Sequence, residues 1–255
     1  MFVDTHAHVI KKYYDDVDKV IDNSKEQGVN LILNVGTCDE EFIEIKKQIE
    51  KYDNVFGVIG YYPNNIDKIN NLNNLEENLK NKNIVALGEI GLEYCNLENK
   101  EEQKVLFEQQ IELALNYDLP IVVHSRDAIN DTYEILKKYS NRNLRGVIHC
   151  YSGSYEMAKE FIKLGFYLGV GGVYTFKNNK KGIEILEKID LKYLVLETDS
   201  PYLTPEPFRG RKNTPEYIPY VAAKVAQIKQ IPIEDVMEVT TNNALNLFGI
   251  KISKD

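Results

Sequence analysis

Four histidines, His6, His8, His124 and His149, each close a short apolar run, and none is left for the surface. Imidazole is the commonest protein metal ligand, so a shared metal site is the first chemistry to weigh. His6 and His8 stand two apart in Phe2-Val3-Asp4-Thr5-His6-Ala7-His8, and an extended backbone puts residues at that spacing on one face. Two carboxylates close apolar runs in the same way, Glu89 in Gly88-Glu89-Ile90-Gly91-Leu92 and Asp199 in Thr198-Asp199-Ser200-Pro201. Four imidazoles and two carboxylates are more ligands than one divalent ion commonly takes from a protein. They suit two ions about 3.5 to 4 Å apart, with Glu89 central enough to bridge them. Nitrogen and oxygen donors without thiolate point to Zn, Mn, Mg or Co. Each residue alone has a plainer reading: a strand-end histidine held by a hydrogen bond, Glu89 as a cap or rim ion pair, Asp199 as turn chemistry. Six of them at five strand ends carry the metal reading together.

Residues nearly two hundred positions apart meet only if the fold gathers strand ends on one rim. Eight apolar runs read as strands: Phe2 to His6, Leu31 to Val35, Val55 to Ile59, Ile84 to Leu87, Ile121 to His124, Gly146 to His149, Phe166 to Val170 and Leu194 to Glu197. Amphipathic stretches lie between them, at Asp15 to Gln27, Glu40 to Lys51, Gln103 to Asn116, Asp127 to Lys138, Tyr155 to Lys163 and Gly182 to Lys188. The Asn-rich stretch Asn64 to Asn83 reads as a polar loop with one helix over Leu72 to Leu79. Strands apolar on both faces, alternating with helices, indicate an α/β fold of the TIM (β/α)8 barrel type, a single domain over residues 1–255. A doubly wound open sheet is the runner-up, but no G-x-G-x-x-G follows the first strand. In a parallel barrel the carboxyl ends of the strands share the face where active sites sit.

Composition narrows the classes further. With 255 residues, 43% hydrophobic and 27% charged, the chain can bury a large core. A net charge of −8 disfavours a broad basic surface for long duplex nucleic acid, while leaving room for a nucleic-acid end held locally. Cys38, Cys95 and Cys150 are far apart and lack a C-x-x-C pattern, so they are expected as reduced, partly buried thiols. No run approaches the roughly 18 apolar residues of a membrane span, and no basic region precedes an apolar leader. The expectation is a cytoplasmic monomer with no membrane partner.

Seven segments carry a family resemblance. Thr5-His6-Ala7-His8, Gly88-Glu89-Ile90-Gly91-Leu92-Glu93-Tyr94, Pro120-Ile121-Val122-Val123-His124-Ser125-Arg126, His149-Cys150-Tyr151-Ser152-Gly153 and Leu196-Glu197-Thr198-Asp199-Ser200-Pro201-Tyr202-Leu203 resemble the TatD family of metal-dependent deoxyribonucleases. Arg209-Gly210-Arg211-Lys212-Asn213-Thr214-Pro215 and Asn242-Asn243-Ala244-Leu245-Asn246-Leu247-Phe248 continue the match, which runs from Val3 to Phe248. The resemblance implies a TIM barrel of the amidohydrolase superfamily that hydrolyses DNA phosphodiester bonds, typically from a 3′ end. It also implies that His6, His8, Glu89 and Asp199 hold one ion and Glu89, His124 and His149 the other. Three positions depart from the family pattern. Gly60-Tyr61-Tyr62-Pro63-Asn64 stands where Gly-x-His-Pro-His is usual, so Tyr62 and Asn64 replace two imidazoles, and Glu93 replaces Asp before Tyr94. Tyr62 can donate a hydrogen bond but, with an ordinary pKa of about 10, is a weak acid at neutral pH.

The chemistry expected is hydrolysis by water made acidic between two ions, with Asp199 accepting its proton. Arg126, Arg209 and Arg211 are the candidate phosphate clamps, because a guanidinium fork matches phosphate. Tyr202 and Phe208 are candidates for stacking on bases. A second enzyme reading is an ester or amide hydrolase, such as an aminoacyl-tRNA deacylase. A third, a metal-stabilised binding barrel, sits poorly with ligands enough for an open dinuclear centre.

Overall fold

All eight apolar runs become parallel strands. A computed structural model, describing residues 1–95 and 98–252, contains β1 (Phe2–Ala7), β2 (Val29–Gly36), β3 (Val55–Ile59), β4 (Ile84–Glu93), β5 (Ile121–Arg126), β6 (Gly146–Ile148), β7 (Phe166–Val170) and β8 (Leu194–Leu196). They hydrogen-bond in chain order, every neighbouring pair parallel. A parallel bridge from Ala7 to Ser200 brings the segment after β8 back to β1. The fold is the expected (β/α)8 barrel.

The connecting helices are α1 (Val17–Glu26), α2 (Asp39–Lys51), α3 (Asn73–Leu79), α4 (Lys100–Asn116), α5 (Ile129–Lys138), α6 (Tyr155–Lys163) and α7 (Lys180–Lys188), and α8 (Ile218–Lys229) and α9 (Ile233–Phe248) close the chain. The ends differ from the periodicity by a turn or less, and side-chain caps set the starts of α1 and α7. Asp16 accepts from the Lys19 N–H and starts α1. Asn179 accepts from the Gly182 N–H, so α7 begins before Gly182. Periodicity named neither α8 nor α9.

Two apolar shells hold the barrel. The inner one gathers Val3, Leu33, Val35, Val58, Val122, Val147 and Val195, and continues onto Ala244, Leu247 and Phe248 of α9. The outer one packs the other face of the strands against the helices. Because both strand faces are covered, the strands are apolar throughout rather than alternating.

The ends of β4, β6 and β8 depart from expectation, and all three matter for the site. β4 runs past Leu87 to Glu93, buried along its whole length. Its register with β5 shifts between Gly88 and Ile90, after which pairing resumes as Gly91 with His124 and Glu93 with Arg126. Glu89 lies within that irregularity, which re-aims its side chain. β6 and β8 are short, so His149 and Glu197 fall just past their strands. Gly91 has φ +141, and a Cβ there would collide with the His124 carbonyl oxygen. Gly91→Ala is therefore expected to destabilise the protein by about 2 kcal/mol or more and to displace His124, as chemical denaturation would measure.

The cysteines are free thiols; Cys38 and Cys150 are partly buried as expected, whereas Cys95 is exposed in the turn after β4. Among the described residues, no helix is long and apolar enough to cross a membrane.

Candidate metal centre

The carboxyl rim of the barrel brings together all six residues read as ligands. His6 comes from β1, His8 from the segment after it, Glu89 from β4, His124 from β5, His149 from the end of β6 and Asp199 from the turn after β8. Cross-links between β1 and the segment after β8 close the rim. The Asp199 N–H donates to the His6 carbonyl at 2.9 Å and the His8 N–H to the Ser200 carbonyl at 2.8 Å. Asp4, fully buried, accepts from the His6 N–H, the Thr198 N–H and the Thr198 hydroxyl. Asn213, also fully buried, donates its amide to the Thr198 and Tyr202 carbonyls and so bolts the turn that carries Asp199.

Glu89 is the centre of the arrangement. Its Oε2 lies 3.5 Å from His6 Nε2 and 3.6 Å from His8 Nε2, while its Oε1 lies 2.6 Å from His124 Nδ1 and 3.5 Å from His149 Nε2. Asp199 Oδ1 stands 3.8 Å from His6 Nε2, 3.7 Å from His8 Nε2 and 3.9 Å from His149 Nε2. Three groups of donor atoms result, each mutually within 4.8 Å: His6, His8 and Glu89; Glu89, His124 and His149; His6, His149 and Asp199.

The donors fit a metal better than they fit one another. His6 and His8 turn Nε2 toward Nε2 at 3.2 Å, an approach that two lone pairs tolerate only with a proton or cation between them. His124 Nδ1 is buried without an aligned hydrogen-bond partner among the described residues, despite its 2.6 Å approach to Glu89. Burial, with His6 beside it, lowers His8 to about 4, so its imidazole is neutral and able to ligate. Burial would raise Glu89, but His124 and His149 outweigh it and hold the carboxylate ionised, well below its ordinary range. Burial raises Asp199 to about 6 against the pull of His149 and His6. These residues would hold divalent cations.

Carboxylates also stand behind two of the imidazoles. Glu93 Oε2 is 3.1 Å from His124 Nε2, on the ring edge opposite Glu89. Glu197, fully buried, lies 3.1 Å from His149 Nδ1 and accepts from the Cys150 N–H. Such partners fix the orientation of a ligating ring and raise its basicity. Burial opposes protonation of both rings, yet the carboxylates win and lift His124 to about 9 and His149 to about 10. Glu93→Gln is expected to weaken divalent-ion affinity about 10- to 100-fold, as a titration with a chelator would read.

Tyr62, at the position where an imidazole is expected, donates its hydroxyl to Glu93 at 3.0 Å and lies 3.0 Å from His124 Nε2. Burial, then Glu89 and Glu93, push this phenol well above its ordinary range. It is a lasting donor that steadies the Glu93–His124 pair. Of the arginines, Arg126 lines the cavity above the ligands. Arg209 stacks on Phe176 at the edge of the adjoining cavity. Arg211 is not brought to the ligands; it lies over Phe208, in a separate hollow with Glu216 and Tyr217. Phe208 packs there too, against Tyr217 at 4.8 Å, away from the site.

Sequence reasoning left out Asp4, Glu197 and Asn213. Glu197 carried the signal used for His149, a polar residue ending an apolar run. Asp4 sits two residues before His6 and shares its face of the strand. Asn213 has no local signal, since its role depends on a turn eleven or more residues earlier.

The fold and the site define a TIM barrel with a histidine–carboxylate metal-ligand cluster on its rim. Residues 3–249 match the family model described as TatD related DNase. The chain is 40% identical over 256 residues to the uncharacterized metal-dependent hydrolase YabD of Bacillus subtilis, covering 98% of this chain and 100% of that protein. It is 33% identical to the uncharacterized metal-dependent hydrolase YcfH of Escherichia coli, over 99% of this chain and 97% of that one. The crystal structure of the Escherichia coli TatD homolog YjjV superimposes with a TM-score of 0.91 at 30% identity, covering 98% of each chain. The chain belongs to the TatD family of metal-dependent hydrolases.

Proposed function

We propose that this protein hydrolyses phosphodiester bonds of DNA, acting from a strand end in the 3′-to-5′ direction, with two divalent cations, Zn, Mg or Mn, on its rim. The observation that carries the reading is Glu89, whose two oxygens face two separate sets of imidazoles. His6, His8, Glu89 and Asp199 would hold one cation and Glu89, His124 and His149 the other. Cations held there supply Lewis acidity toward water and a phosphoryl oxygen.

The chain's own groups do the rest. Asp199 accepts the proton of the attacking water, a task for a carboxylate raised toward the working pH. Arg126, exposed above the ligands, holds a phosphate oxygen and meets the charge that builds as the bond breaks. Glu93, Glu197 and Tyr62 hold His124 and His149 in place. DNA as substrate accords with the family description. A second reading, ester or amide hydrolysis of the aminoacyl-tRNA type, is favoured by one observation: Tyr62 is engaged with Glu93 and His124 where an imidazole could have served a phosphate.

The deciding experiment is release of nucleotides from labelled single-stranded DNA by protein stripped of metal and reloaded with Mg, Mn or Zn. Stepwise, metal-dependent product is expected. Tight metal binding without product from any DNA would overturn the DNA reading in favour of ester or amide substrates.

A pH dependence follows from the ligands. An imidazole must lose its proton to ligate, and the protein's carboxylates keep His124 and His149 protonated up to about 9 and about 10. Each protonated ring competes with the cation, so affinity rises with pH through neutrality and levels off above those values. Calorimetry at pH 7 in buffers of different ionisation enthalpy is expected to show protons released on metal binding.

A further inference from the structure

Two cavities, of about 470 and 430 Å3, meet over the ligand cluster. His124, Arg126, His149, Asp199 and Leu203 line both, so His124, His149 and Asp199 of the cluster form the seam between them. Away from the seam they differ in chemistry. The first is walled by Tyr13, Tyr62 and Tyr202. Tyr13 and Tyr202 meet edge to face at 5.8 Å, joined through their hydroxyls at 3.1 Å, and Tyr202 is 48% exposed at the mouth. The second offers Ser152, Asn178 and Asn179 beside Phe176. The Arg126 guanidinium lies where they meet and makes no hydrogen bond or ion pair to any described residue, while the backbone carbonyl of Arg126 accepts from the Tyr94 N–H.

A phosphomonoester or a small amide has one substituent to place and would use one cavity. A phosphodiester has two, one on each side of the reacting phosphorus. Both volumes fall within the range of roughly 300 to 1,000 Å3 usual for small-molecule sites. A pair of tyrosines offers a ring face to any base, and a free guanidinium with hydroxyl and amide groups suits a sugar-phosphate. The net charge of −8 argues against holding a long strand electrostatically, so recognition is confined to the units at the seam.

We propose that the rim recognises two consecutive nucleotides across the ligand cluster, one base stacked on Tyr202 with Tyr13 bracing that ring edge to face, the adjoining sugar-phosphate held in the second cavity by Arg126 with Ser152 and Asn178. This rests on the phosphodiester reading above and adds the substrate's minimum length and its two contact surfaces.

The test compares thymidylyl-thymidine with the 3′- and 5′-methyl phosphate esters of thymidine, which present the same bond with one nucleoside missing. The metal-loaded protein is expected to cleave the dinucleotide with kcat/KM at least about tenfold above either ester, the size of one lost stacking contact. Tyr202→Ala is expected to remove about that advantage and Tyr202→Phe to restore it, since the ring face is what stacks. A readout without turnover uses Asp199→Asn protein loaded with Mg and a dinucleotide carrying 2-aminopurine. Its fluorescence should be quenched on binding, and the added Tyr202→Ala change should abolish the quench. Equal cleavage of the esters and the dinucleotide, with a quench indifferent to Tyr202, would overturn the two-sided site and leave the phosphodiester reading standing. Cleavage of neither, with no quench, would overturn both.

Discussion

Glu89→Gln is expected to abolish tight binding of divalent ions and to lower hydrolysis on the order of a thousandfold or more, the equivalent of several kcal/mol of lost charge stabilisation. Gln has nearly the volume of Glu, and the residue is 4% exposed within a strand buried throughout, so the barrel itself should fold. What is lost is the negative charge that faces His6 and His8 through one oxygen and His124 and His149 through the other. An amide can present an oxygen to only one of those sides and would turn an N–H donor toward nitrogens meant to ligate. Elemental analysis of the purified variant and its turnover on DNA check both halves. Full metal content with unaltered turnover would remove Glu89 from the centre.

Asp199→Asn is expected to act differently: hydrolysis falls by about 10²- to 10⁴-fold, the usual contribution of a general base, while much of the metal stays bound. Two of the three donor groups, His6 with His8 and Glu89, and Glu89 with His124 and His149, do not include Asp199. The backbone should be undisturbed, because Asp199 has φ +55 and Asn is among the few residues that tolerate that region. The hydrogen bond from its N–H to the His6 carbonyl also remains. A variant that binds metal and keeps near-normal turnover would show that another group takes the proton. The contrast between the two variants separates holding the cations from moving the proton.

The six donors that the rim brings together were legible in the sequence because few residue types bind divalent ions and each stood at the end of an apolar run. Parallel strand order then places those ends on one rim. The boundaries of the helices that periodicity marked were legible to within a turn, Asn179 capping and so extending one of them, whereas α8 and α9 went unmarked. Glu93 was visible as a departure, but its contact with His124 depends on β4 running past Leu87. Its place beyond the eighth strand makes Arg211 a candidate phosphate clamp by sequence alone. The Asn213 amide ties the neighbouring backbone to Thr198 and Tyr202, and Arg211 lies over Phe208 in another hollow.

By itself the sequence determined the barrel, the inventory of donors and the rim on which they stand, since these follow from apolar periodicity and chain order, both local properties. Only the tertiary structure decided that Glu89 faces two sets of imidazoles, that Asp4 locks β1 to the Asp199 turn while Asn213 braces that turn, and that two cavities meet over the cluster. Those features arise from a register shift between neighbouring strands and from hydrogen bonds between segments up to 194 residues apart. No stretch of sequence contains both partners of such a contact, so their meeting is set by the closed barrel.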